Sequence, residues 1–236
     1  MPKRLSFLLG PGSKIHTPSS QFQTKIKNYD DLKNRFDIEV ISEEFFQKYK
    51  DLFFKITEHL NKDKKFKLFL EEKKIEIDLF AKKFLGQIVF CYFLQKKGCL
   101  GAKKNQILSN GDKFFLRNSF ELFNRNKKNF YNDFFEYLIY EGLNKENKNN
   151  FVEILDCKIP YLNGGLFEEI DNYDWKKEKL NIPNSFFSNK SGDGILDVFD
   201  LYNFTVDEND GLDVEIGIDP EMLGKVFEKL LPENFK

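Results

Sequence analysis

Apolar residues recur at steps of three and four through most of the chain, a period that predicts helices. Phe45, Tyr49, Leu52, Phe53, Ile56 and Leu60 fall on one helix face. That helix should begin at Ser42, an N-cap residue followed by Glu43 and Glu44 in the first turn, where the helix dipole favours acids. A short helix is expected over 65–73. The stretch from about 77 to 97 differs: F-L-G-Q-I-V-F-C-Y-F-L at 84–94 is apolar nearly all round, so it has no solvent face and belongs at the centre, wrapped by the other helices. Lys96 and Lys97 in its last turn, with Gly98 after them, make a C-terminal stop.

Beyond a polar linker at 105–111, helical spacing returns at 119–123 and more strongly over about 129–140. Phe130, Phe134, Tyr137 and Leu138 share a face there, and Gly142 is expected as the cap. A Gly-rich turn at 192–194 precedes a short helix over 196–201. The pattern then changes to alternation at 202–206 and 212–218 around E-N-D-G, which predicts a two-stranded hairpin. Asp219 and Pro220 open a last helix with Met222, Leu223, Val226, Phe227 and Leu230 as its apolar stripe. The first forty residues hold L-G-P-G-S and T-P-S-S and no sustained period. The expected architecture is mainly α: an irregular helical bundle around a buried central helix, with a small C-terminal β-hairpin. Residues 1–40 form an extended arm, 41–195 the helical domain, and 196–236 the hairpin and final helix.

At 236 residues, with 28 Phe among a 41% hydrophobic content, the chain can bury a large aromatic core. A net charge of -1 does not advertise a polyanion partner, but its distribution does change the picture. Between Gln47 and Lys104 there are 15 Lys against 7 Asp and Glu, whereas Asp197 to Glu221 holds 9 Asp and Glu and no Lys or Arg. One end can face nucleic acid and the other cannot. Only four residues are Arg, so guanine readout, mainly the work of Arg, is not expected. Lys96, Lys97, Lys103 and Lys104 flank the end of the central helix, where they are candidates for DNA-backbone contact or simply close a helix and solvate a loop.

Three cysteines, odd in number and partly within apolar runs, suit reduced thiols and a cytoplasmic location. No zinc-ligand spacing is present, and no apolar run approaches the ~20 residues of a membrane span. No Gly-rich cofactor turn and no N-P-P-Y-like motif for methyl transfer occur; Glu71 to Lys73 lacks the upstream partner of a metal-dependent nuclease; His16 and His59 join no nucleophile set. No catalytic residue and no metal ligand is assigned. In I-P-Y-L-N-G-G-L-F-E, residues Asn163, Gly164 and Gly165 tolerate positive φ. They read chiefly as a structural corner between apolar anchors, and secondarily as an anion nest.

Four stretches carry a resemblance. G-Q-I-V-F-C-Y-F-L-Q-K-K-G-C-L-G (86–101), F-Y-N-D-F-F-E-Y-L (130–138), I-P-Y-L-N-G-G-L-F-E (159–168) and Y-N-F-T-V-D-E-N-D-G-L-D-V-E-I-G-I-D-P-E-M-L-G-K-V-F-E (202–228) together resemble type IIG restriction-modification enzymes. In that family a nuclease, a helical connector and an adenine-specific DNA methyltransferase share one polypeptide. The resemblance implies that 41–195 is the connector and 196–236 the threshold of the methyltransferase, the chain being a catalytically incomplete piece of the larger enzyme. Its partners would be DNA, held weakly and without sequence preference, and the adjoining nuclease and methyltransferase modules. S-adenosylmethionine and Mg2+ are implied for the parent enzyme and no cofactor for this chain. Cys99 stands where relatives tend to carry Trp. The alternative reading is a free-standing helical module whose exposed Phe face binds a protein.

Overall fold

The computed structural model describes residues 29–162, 164–180, 182–204 and Ile218. The chain divides into two compact units, 1–36 and 37–236. Of the first, the described part, from residue 29, is helical. Among its described residues the second is mainly helical, with one small antiparallel sheet.

Helix α1 (Tyr29–Lys62) starts well before Ser42, so that residue lies inside the helix and does not cap it. The expected face is nevertheless the buried one: Phe45, Tyr49, Leu52, Phe53, Ile56 and Leu60 are all in the core. Helix α2 (Lys64–Lys73) opens on Asp63, whose carboxylate accepts from the N–H of Lys65 at 2.9 Å and of Phe66 at 3.3 Å. Helix α3 (Ile77–Lys96) runs through the middle. Residues 84 to 89 are buried without a break, but Phe90 is exposed, so the 84–94 stretch expected to lack a solvent face does reach the surface there. Its end is a Schellman stop: Gly98, at φ 70°, donates to the Gln95 carbonyl at 2.8 Å, and the Cys99 N–H reaches Leu94 O at 2.8 Å.

Two aromatic clusters pack along α3. Near its start, the Phe84 ring lies 5.5 Å from Tyr131, 5.6 Å from Phe135 and 5.7 Å from Phe187. Near its end, Tyr92 lies 5.5 Å from Phe199 and 4.9 Å from Phe204, with Phe45 closing on both of those rings. Helix α4 (Phe115–Arg125) is tied to α3 where the Leu116 N–H donates to the buried Gln95 side chain at 3.0 Å. Short helices α5 (Asn184–Phe187) and α6 (Ile195–Phe199) supply the Phe187 and Phe199 rings.

The strongest helix expected after α4 is present but wound more widely. Tyr131–Phe135 and Tyr137–Leu143 are π-helical, joined through Glu136: the Glu136 N–H reaches Tyr131 O, and the Asn144 N–H reaches Ile139 O, each five residues back. Gly142 is not its cap. It is a buried residue inside the helix, where a Cβ would stand 2.8 Å from Ile159 Cγ2.

Strands β1 (Phe151–Val152) and β2 (Cys157–Lys158) form the antiparallel hairpin of the C-terminal half, with Phe151 opposite Lys158 and Val152 opposite Cys157. Sequence periodicity predicts a hairpin at 202–218 and does not find this one, because two-residue strands are too short to alternate. Most of 202–218 lies outside the described residues; at its ends Phe204 and Ile218 form a single parallel bridge, with the Ile218 N–H donating to Asn203 O at 2.7 Å. The last helix expected from Asp219 also lies outside the described residues.

Candidate functional site

The lysine-rich end of α3 is built by backbone closure. Gly111 folds back to donate to Gly98 O at 2.7 Å, and Asp112 to Leu100 O at 2.8 Å, so the 98–111 loop lies against the helix stop. A Cβ on Gly111 would fall 2.1 Å from Leu100 O, which explains glycine there. Ala102 bridges Lys158 of β2 in antiparallel register, and the Lys158 N–H donates to Ala102 O at 2.7 Å. Lys103 and Lys104 therefore leave from a fixed strand edge.

The four lysines are all exposed and differ in what they touch. Lys96 Nζ donates to Asn203 Oδ1 at 2.6 Å. Lys104 Nζ lies 4.7 Å from the Phe151 ring centre and 3.6 Å from Glu153 Oε1. Lys97 and Lys103 make no ion pair among the described residues. Lys158, next to them on β2, donates to Gln106 O at 2.6 Å, adding a fifth amine that spacing alone did not single out.

Asn163 lies outside the described residues. Gly164 and Gly165 do not take positive φ; they open a turn closed by the Phe167 N–H on Gly164 O at 2.8 Å. The turn is strapped to α3 through carbonyls: Lys83 Nζ donates to Gly165 O at 3.3 Å and Gln87 Nε2 to Leu166 O at 2.8 Å. Burial lowers the Lys83 pKa, against the pull of Glu168 and Asp171.

Two polar clusters have no counterpart in the sequence reading. In the first, Arg117 of α4 donates through Nε to Asp200 Oδ2 at 2.7 Å, through one terminal nitrogen to Asp197 Oδ1 at 3.0 Å, and through the other to Ser188 Oγ at 2.9 Å. The buried Tyr92 hydroxyl donates to the remaining Asp200 oxygen at 2.6 Å. Burial pushes the Asp197 carboxyl up, but the Ser188 hydroxyl, the Asn189 N–H and Arg117 outweigh it and hold the group below its ordinary value.

In the second, Glu136 sits inside the π-helix at 1% exposure. It accepts hydrogen bonds from the Tyr173 hydroxyl on one oxygen and from Asn132 Nδ2, at 2.7 Å, on the other. Burial pushes its carboxyl up to about 7 despite both donors. The only sequence signal was one acid amid F-F-E-Y-L, which helical spacing alone leaves on either face.

Among the described residues no three His, Cys, Asp or Glu side chains converge as a metal-binding group, and no helix is long and apolar enough to cross a membrane. Comparison with protein-family models, with curated proteins and with solved structures returns no match.

Proposed function

We propose that this chain is the helical connector of a bifunctional type IIG restriction enzyme and DNA adenine methyltransferase. It performs no chemistry of its own, holds the two catalytic modules apart, and touches the DNA backbone through Lys96, Lys97, Lys103 and Lys104. S-adenosylmethionine and Mg2+ serve the neighbouring modules of the parent enzyme, which acts in the cytoplasm.

One observation supports this reading above the others: the described parts of the segments that resemble the family lie in or against the core around α3. Residues 86–101 are most of α3 with its Schellman stop. Residues 130–138 are the first turns of the π-helix packed on Phe84. Residues 159–168 are strapped to α3 by Lys83 and Gln87, and 202–228 opens with Phe204 seated on Tyr92 and Phe93. The likeness is thus of a supporting body, as a connector requires. The lysines project from the rigid end of that body, and phosphate contact needs only such point charges.

The test is binding of the purified chain to duplexes of unrelated sequence over a range of salt. Each lysine on a phosphate adds roughly 0.9 to the slope of log affinity against log salt. Replacing Lys96, Lys97, Lys103 and Lys104 with Ala should flatten that slope by up to about 3.6 and weaken all duplexes alike. An unchanged slope in the folded quadruple variant contradicts the assignment of these residues.

A further inference from the structure

Residues 169–178 form a strap between α2 and the π-helix. On the α2 side Lys73 pairs with Glu178, Asn172 Nδ2 donates to Lys73 O at 3.2 Å, and the Phe69 ring meets Tyr173 edge-on at 5.9 Å. On the π-helix side Lys176 pairs with Glu141 at 2.6 Å, and Trp175 packs on Tyr137 at 5.1 Å and Tyr140 at 5.3 Å. The Trp175 indole N–H is satisfied within the strap, by Glu169 at 2.9 Å. Between these contacts the Tyr173 hydroxyl reaches the buried Glu136 carboxyl.

We propose that Glu136 is a proton-operated latch: protonation seats the 169–178 strap on the π-helix and ionisation loosens it. The proton comes from water and returns to it, and no bond other than O–H is made or broken. Both states use the same atoms. The carboxylate accepts from Tyr173 and Asn132, whereas the acid can donate its O–H to the Tyr173 oxygen, which accepts as readily as its hydroxyl donates. The two states differ in what surrounds the charge. Tyr131 and Tyr140 of the same helix, and Tyr173 of the strap, are aromatic groups whose own ionisation burial suppresses. Asp133 on the helix opposes the Glu136 charge and Lys179, just past the strap, favours it.

An ionised Glu136 therefore gains when water reaches it, and Tyr173 of the strap sits directly on the carboxyl. The strap's remaining anchors include the Lys176–Glu141 pair, whose lysine is largely exposed, and ion pairs of that kind hold weakly. Trp175 and the half-buried Lys73–Glu178 pair hold the strap in both states, and the buried carboxyl is the anchor whose charge pH changes.

Trp175 is the one tryptophan of the chain and lies on the strap, so its fluorescence reports the seat directly. In the full chain a sigmoidal change is expected between about pH 6 and 8. It should vanish in Glu136→Gln, which stays in the low-pH signal throughout. In Tyr173→Phe the midpoint should move up, because a donor to the charged form is gone. Carbon-13 labelling of glutamate in the wild-type chain follows the carboxyl itself, whether or not Glu136→Gln folds. A flat fluorescence trace, the same transition in a folded Glu136→Gln, or a Glu136 carboxyl already ionised at pH 5 overturns the latch.

Discussion

Arg117 shows how much one guanidinium does that a lysine cannot. Its three nitrogens address Asp197, Asp200 and Ser188 at once, a fork that joins α4 to α6 in a chain whose cations are otherwise nearly all Lys. Removing it takes from both carboxylates the cation they share. Arg117→Ala is expected to cost on the order of 2–3 kcal/mol in urea unfolding, and Arg117→Lys to recover only part of that. The scarcity of Arg was visible in the sequence; the partners were not, since they lie 71 to 83 positions away. Glu136 gives a second prediction. Its folded-state pKa of about 7 stands above the ordinary 4.5, so between those values the folded chain keeps a proton that the unfolded chain releases. Stability accordingly falls as pH rises through that window and levels off above it, by up to about 3 kcal/mol at roughly 1.4 kcal/mol per pH unit. Urea midpoints at pH 5 and pH 8 should differ in that sense for the wild type, and the difference should shrink in Glu136→Gln.

Elements whose burial is simple were legible, and those shaped by distant contacts were not. The central helix was readable because it is apolar on every side, and its stop because Gly98 follows two lysines. Gly98 and Gly192 share φ 70°, but a Cβ at Gly98 would lie 2.5 Å from the Ser109 carbonyl oxygen, whereas at Gly192 it would meet nothing. Gly192→Ala should cost about 1–2 kcal/mol, the left-handed backbone alone, and Gly98→Ala distinctly more, as thermal unfolding of the two variants will show. The wide winding from Tyr131 to Leu143 escaped the sequence because a 3.6-residue period assumes the ordinary ladder. Phe130 and Phe134 do share a face, and so do Tyr131 and Phe135 on Phe84, leaving the helix buried on most sides. The early start of α1 was hidden by Ser42, a good cap residue that here sits mid-helix.

At the scale of the whole molecule, a mainly helical body around α3 follows from the distribution of Phe and Tyr, and the structure has that form. The lysine face is legible only as a cluster in sequence; that Lys103 and Lys104 leave a strand edge beside Lys158, near the end of α3, depends on a pairing between residues 102 and 158. On the connector proposal, this body carries charge while reactions happen elsewhere in the parent enzyme. The most direct measurement incubates the purified chain with duplex DNA, labelled S-adenosylmethionine and Mg2+ at low salt, and scores binding, methyl incorporation and strand cleavage in one reaction. The expected result is DNA bound and chemically unchanged; methylated or nicked DNA produced by the chain alone would contradict the account.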